Sequence, residues 1–108
     1  MTQTDVQQLM SNPAGLPRTT TLVREAGLRT LLLHLNAGER IAEHQTRGAI
    51  VVQCLQGKGA FFAGAERVDL RPGVLLSLPP AEAHSVRAAE EEDILLLVTM
   101  AEQSATER

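Results

Sequence analysis

An all-β barrel or sandwich is the fold class this sequence predicts. The prediction rests on short apolar runs, on turn residues between them at roughly 6–12-residue intervals, and on the lack of any helical period beyond about three turns after Thr19. Antiparallel sheets must hide their edges, and closure into a barrel or a two-sheet sandwich does this.

The first segment, residues 1–18, is polar and ends in Asn12-Pro13 and Leu16-Pro17, which break helices. Thr4 or Asp5 can cap one short helix over Val6 to Met10. A mobile arm is the alternative, packing outside the barrel or across a partner. Strands follow over Thr20 to Arg24 and Arg29 to Leu35, with Gly27 between them. Asn36-Ala37-Gly38 is a turn, and Glu39 to Glu43 is strand-like. Ala49 to Leu55 is apolar apart from Gln53, and Gly57-Lys58-Gly59 is a hairpin signal. Gly59 to Ala63 and Glu66 to Leu70 flank Gly64 as a second hairpin. After Arg71-Pro72-Gly73 come Val74 to Leu78, the Pro79-Pro80 break, Ala83 to Arg87 and Asp93 to Met100. The barrel therefore spans 19–100, and 101–108 is a polar tail. Phe61, Phe62 and the leucine-rich strands are the expected core. The acidic run from Ala89 to Asp93 reads as a solvated loop.

Composition removes several function classes. The chain has 108 residues, one domain's worth, and burying roughly two-thirds of its unfolded surface is enough to fold it. Ten Lys and Arg against 13 Asp and Glu give a net charge of −3, and Phe61 and Phe62 are the only aromatics. Neither a basic excess nor stacking platforms are present, so nucleic acid is not an expected partner. The single cysteine, Cys54, excludes an intrachain disulfide and a cysteine-rich zinc site. The apolar runs are too short to span a bilayer and no leader pattern opens the chain, so no membrane partner and a cytoplasmic location are expected. Neither the serine elbow of a hydrolase nor a nucleotide-binding glycine motif occurs.

Three histidines carry the remaining chemistry: His34, His44 and His84. His44 and His84 each adjoin a strand, and a barrel can bring both imidazoles to one cavity. Two neutral imidazoles supply half of a transition-metal site. The other reading is two structural histidines, each satisfied by a backbone carbonyl.

Gly38-(five residues)-His44 followed by Gly57, together with Gly73-(five residues)-Pro79-Pro80-Ala81-Glu82-Ala83-His84, resembles the two motifs of the cupin superfamily. The likeness covers Gly38 to Ala88, about half the chain. It implies a double-stranded β-helix (jelly-roll) barrel, with a short N-terminal arm or helix here, and with His44 and His84 pointing into its mouth. It also implies a homodimer, which open sheet edges favour independently. The sequence departs from the family where metal ligands belong. Thr46 replaces the second histidine, Ile50 or Val51 the glutamate, Ala81 the glycine after the prolines, and Ala88 the terminal asparagine.

Strand parity sorts the substitutes. With position 50 inward, Ile50, Val52 and Cys54 line the interior and Gln53 faces out. Cys54 is then a conceivable thiolate ligand or a small core residue. Leu31, Leu33 and Leu35 take the core face, which leaves His34 on the other, at a sheet–sheet or subunit contact. The expected metal ligands are His44 and His84, with His34 and Cys54 as reserves. Thr46, Arg47, Ile50 and Val52 are the expected substrate-binding set, Arg47 as a clamp for a carboxylate or phosphate. The cofactor is one divalent metal (iron, nickel, manganese or zinc) or none. The leading functional expectation is a small polar molecule bound in the barrel, through a weak metal site at His44 and His84. The alternatives are a cupin-type metal-dependent dioxygenase or isomerase and a metal-free sensing or interaction domain.

Overall fold

The computed structural model describes residues 1–102. It has a short helix, α1 (Val6–Met10), a single 3-10 turn (Pro13–Gly15) and nine strands: β1 (Thr19–Glu25), β2 (Leu28–Leu35), β3 (Arg40–His44), β4 (Ile50–Gly57), β5 (Gly59–Ala63), β6 (Glu66–Leu70), β7 (Leu75–Leu78), β8 (His84–Ala88) and β9 (Ile94–Ala101). Two antiparallel sheets face each other, one in the order β1-β2-β9-β4-β7 and the other β3-β8-β5-β6. This is the all-β jelly roll the sequence predicts. Alternation of side chains fixes which residues are inside. Leu31, Leu33, Leu35, Ile50, Val52, Cys54, Phe61, Val86, Ile94, Leu96 and Val98 form one core between the sheets.

The helix forms where expected, with the Asp5 carboxylate accepting the Gln8 amide at 3.2 Å. Val6, Leu9 and Met10 are its half-buried residues, a one-sided apolar stripe. The expected tail at 101–108 lies outside the described residues except at its start, where Ala101 ends β9 and the Glu102 amide donates to the Gly27 carbonyl at 3.0 Å.

Three expectations are corrected. Phe62 is not in the core: it sits half-buried on the outer face of the four-stranded sheet, with the guanidinium carbons of Arg67 and Arg87 5.6 and 5.4 Å from its ring centroid. Phe61 and Phe62 are adjacent strand residues, so only one of them can face in. His34 lies at no sheet–sheet contact but beneath the N-terminal arm, its Nδ1 donating to the Leu16 carbonyl at 3.2 Å. Asp93 is not part of a free acidic loop. Its carboxylate accepts His34 Nε2–H and the Ala37 amide, both at 2.9 Å, and so ties β2, the β2–β3 turn and the start of β9 together.

Glycine decides how that end of the barrel closes. Gly57 has φ +88°, and a Cβ there would overlap the Asp93 carbonyl, so the β4–β5 hairpin meets β9 with no room for a side chain.

Candidate functional site

His44 is the last residue of β3 and His84 the first of β8, and the two are direct partners across the antiparallel ladder. Simple alternation would put His44 on the face of Arg40, away from the core. A bulge between Ile41 and His44 shifts the register and turns His44 to the face of Ile41. The two imidazoles meet edge to face, with ring centroids 4.3 Å apart. Phe61 stacks on the far side of His84, 5.5 Å away and within 11° of parallel. His84 is buried (4% exposed) while His44 reaches solvent, so the pair spans the mouth from inside to outside.

Both rings are oriented in the same way. His44 Nδ1 donates to the Ala42 carbonyl at 3.0 Å, and His84 Nδ1 to the Glu82 carbonyl at 2.8 Å. Each bond spans two residues, which sets the ring and places the proton on Nδ1. Among the described residues neither Nε2 has a protein hydrogen-bond partner. The structural reading and the site reading of this pair are therefore compatible: one nitrogen is satisfied by the backbone and the other is left available.

Behind the pair lies a cavity of about 150 Å³. Leu31, Leu33, Ile41, Ile50, Val52, Phe61, Val86, Leu96, Val98 and Met100 wall it, and Thr19, His44, Thr46 and His84 supply its polar side chains. The Thr46 hydroxyl donates to the Gly48 carbonyl at 3.1 Å, and the Thr46 carbonyl accepts the Ala81 amide at 2.8 Å. The second contact holds the Pro79–Glu82 loop against the β3–β4 loop and sets the spacing of the mouth. Ala81 adopts φ +67°, a left-handed conformation, at the position where the cupin motif carries glycine.

Of the other expected site residues, Ile50 and Val52 line this cavity and Arg47 does not. Arg47 is exposed beside an adjoining recess, lined also by Gly48 and Glu102, that shares Thr46 and Met100 with the cavity. Cys54 points inward as parity requires, but it is fully buried beyond the cavity, with its Sγ 3.8 and 3.7 Å from the Gln56 and Gly57 carbonyls. Burial pushes its thiol pKa up, and the charge of Glu92 adds to the effect against the Gln56 contact. His34 belongs to the opposite face of β2, with both ring nitrogens engaged. Sequence reasoning missed Thr19, Met100 and the stacking role of Phe61. The spacing that marked His44 and His84 carries no information about strands that reach the site from distant positions in the chain.

The cupin resemblance implies a metal, and the side chains present can be tested against one. A resident centre usually takes three protein ligands. Among the described residues no group of three or more His, Cys, Asp and Glu side chains lies together. Ile50 stands where the carboxylate belongs and the Thr46 hydroxyl is used by the backbone. The residues do not fit a complete metal centre.

The sequence matches the family described as AraC-like ligand binding domain over residues 19–105, most of the chain and every strand of the barrel. The chain belongs to this family. No protein with a curated description matches it. Among solved structures, this ligand-binding domain resembles a protein from Thermus thermophilus at 25% identity and TM-score 0.78, covering 96% of this chain and 100% of that one. It resembles a cupin superfamily protein from Desulfitobacterium hafniense at 19% identity and TM-score 0.72, covering 79% and 76%. The DMSP lyase DddQ from Ruegeria pomeroyi is similar at 21% identity and TM-score 0.73, with 82% of this chain on 48% of that one. These likenesses place the domain in the cupin fold. No helix among the described residues is long and apolar enough to cross a membrane.

Proposed function

We propose that this domain binds one small organic molecule in the barrel, with an apolar body against Ile50, Val52 and Val98 and one hydrogen-bonding head at the Nε2 atoms of His44 and His84. The observation that carries this reading is an apolar cavity behind two imidazoles whose Nδ1 atoms are already satisfied. The expectation of a small polar molecule is narrowed accordingly: polarity is confined to the mouth. An apolar cavity of about 150 Å³ takes a molecule of roughly benzene size, so the ligand has about four to six carbons and a hydroxyl-bearing head, an alcohol or an un-ionised carboxylic acid, that donates to the Nε2 atoms. Membership in a ligand-binding family supports the same class.

A second reading is a loosely held divalent cation on the same two Nε2 atoms, with water completing its shell. It is favoured by the Nδ1–carbonyl bonds, the arrangement that typically orients imidazole ligands. A homodimer belongs to the proposal as well, supported by Leu75 and Val51, which are 62% and 41% exposed on the outer face of the five-stranded sheet.

Calorimetric titration of 1-butanol, 1-hexanol and Zn²⁺ into the parent, His44→Ala and His84→Ala tests the assignment. Organic-ligand affinity is expected to fall about tenfold in each variant, the loss of one good hydrogen bond. Unchanged affinity in both variants places the ligand elsewhere. Metal uptake with no organic binding selects the second reading.

A further inference from the structure

Away from the cavity, the outer face of the four-stranded sheet has an unusual charge distribution. Arg40, Lys58, Arg67, Arg71 and Arg87 gather there, half of the ten Lys and Arg residues of a chain whose net charge is −3. Four of them, with Asp69 and Glu90, wall an open groove of about 630 Å³, within the size range of small-molecule sites. Four cations against two carboxylates leave a local charge of +2. Arg67 pairs with Asp69 at 3.0 Å, whereas among the described residues Arg40, Lys58, Arg71 and Arg87 have no carboxylate within ion-pair distance.

Two features distinguish this groove from an ordinary solvated face. First, Arg40 and Arg87 are direct partners across β3 and β8. Like charges in that position destabilise a sheet, and among the described residues neither arginine has a carboxylate to offset the other; Arg40 lies outside the groove, beside a neighbouring recess that shares Arg87 with it. Second, the groove is shaped. Gly59, Ala60, Ala88 and Ala89 line it between the long side chains, the Ala88 methyl itself belonging to the core between the sheets. Phe62 holds the guanidiniums of Arg67 and Arg87 against its ring, which lowers the entropy lost when they close on a ligand.

We infer that this groove is a second binding site, separate from the barrel cavity, for a small molecule carrying a phosphate or paired carboxylates. Guanidinium groups bind such oxyanions bidentately, and three unpaired cations around one groove match two or more negative charges.

Inorganic phosphate and pyrophosphate are the probes, titrated into the full chain at constant ionic strength with chloride as the control. Melting temperature and backbone amide NMR shifts are read together. Pyrophosphate is expected to raise the Tm more than phosphate does, with shifts confined to the amides of Gly59, Ala60, Ala88 and Ala89. Arg71→Ala and Arg87→Gln are each expected to weaken pyrophosphate about tenfold, equivalent to about 1.4 kcal/mol. Arg24→Ala, which removes a cation paired with Glu102 outside the groove, leaves binding unchanged. Arg71 lies on an exposed turn outside the core, so its variant remains informative if Arg87→Gln destabilises the sheet. The inference is overturned by shifts spread over the whole surface or centred on His44 and His84, by a response equal to that of chloride, or by full affinity in both groove variants.

Discussion

Strands β2, β4 and β9 each run the length of the barrel, and their two ends do different things. At one end Leu31, Leu33, Ile50, Val52, Leu96 and Val98 leave a cavity between them. At the other, Leu35, Cys54 and Ile94 on the same three strands are fully buried and line no part of that cavity. The closed end is fastened by the side-chain-free meeting of Gly57 with β9 and by the Asp93 bonds to His34 and Ala37. The open end has its own ties, all at the rim: the Ala81 amide on the Thr46 carbonyl at 2.8 Å, the Ala101 amide on the Ala49 carbonyl at 3.0 Å, and Gly48, where a Cβ would overlap the Ala101 carbonyl. One composition of aliphatic residues thus serves as a packed plug at one end and as the wall of a binding site at the other. What separates the ends is the space left between the strands, not hydrophobicity.

The strongest way to break this contrast is to change volume at each end. Ile94→Ala is expected to cost about 2–5 kcal/mol, because a closed end cannot collapse around the loss; urea unfolding measures it. Adding volume separates the ends by sign. Cys54→Ile overpacks the plug and costs about 1–3 kcal/mol, whereas Val52→Ile puts a methylene into empty space and stabilises by up to about 0.8 kcal/mol. Equal effects from these two enlargements would show that the ends are packed alike.

The rim offers a smaller effect. Ala81 holds a left-handed backbone conformation at φ +67°, so Ala81→Gly is expected to stabilise by about 1 kcal/mol in thermal unfolding.

At the closed end, acid sharpens the comparison. The hydrogen bond from His34 holds the Asp93 carboxyl below its ordinary pKa, with help from the Ala37 amide and the His34 charge and against the effect of burial. A depressed carboxylate stabilises the fold above its unfolded pKa, and the stabilisation is lost as pH falls through the folded value. The Tm of the parent therefore drops more steeply than that of Asp93→Asn as pH is lowered from about 4 toward 2, the range below the usual carboxylate pKa of about 3.9. Parallel curves would remove Asp93 from the account of this end. The smallest effect is chemical: with its pKa raised by burial, the Cys54 thiol is expected to react with a disulfide reagent at pH 8 only as fast as the barrel opens.

Much of this architecture was legible in the sequence. Alternation placed Ile50, Val52 and Cys54 inward and set His34 opposite its leucine neighbours, because a strand with one buried face has a strict period of two. The motif spacing brought His44 and His84 to attention, and they proved to be cross-strand partners. What could not be read was whatever depends on register or on distant contacts. The bulge that turns His44 inward breaks the period that parity relies on. Cys54 has the correct parity but lies at the plugged end, a distinction along the barrel axis that alternation cannot express. Arg47 adjoins His44 in the chain yet falls beside a different recess. Asp93 looked like one of several solvated acids, and only its contacts with His34 and Ala37 set it apart.

The central claim is that the open end is a binding site and the closed end is not. Methyl NMR of the isoleucine and valine side chains during titration with 1-hexanol tests it most directly, since Ile50, Val52 and Val98 report on the cavity and Ile94 on the plug. The account predicts saturable shifts at the first three, accompanied by the ring signals of His44 and His84, with Ile94 unmoved. Shifts at Ile94 equal to those at Ile50, or none at any cavity methyl at saturating probe, would contradict it.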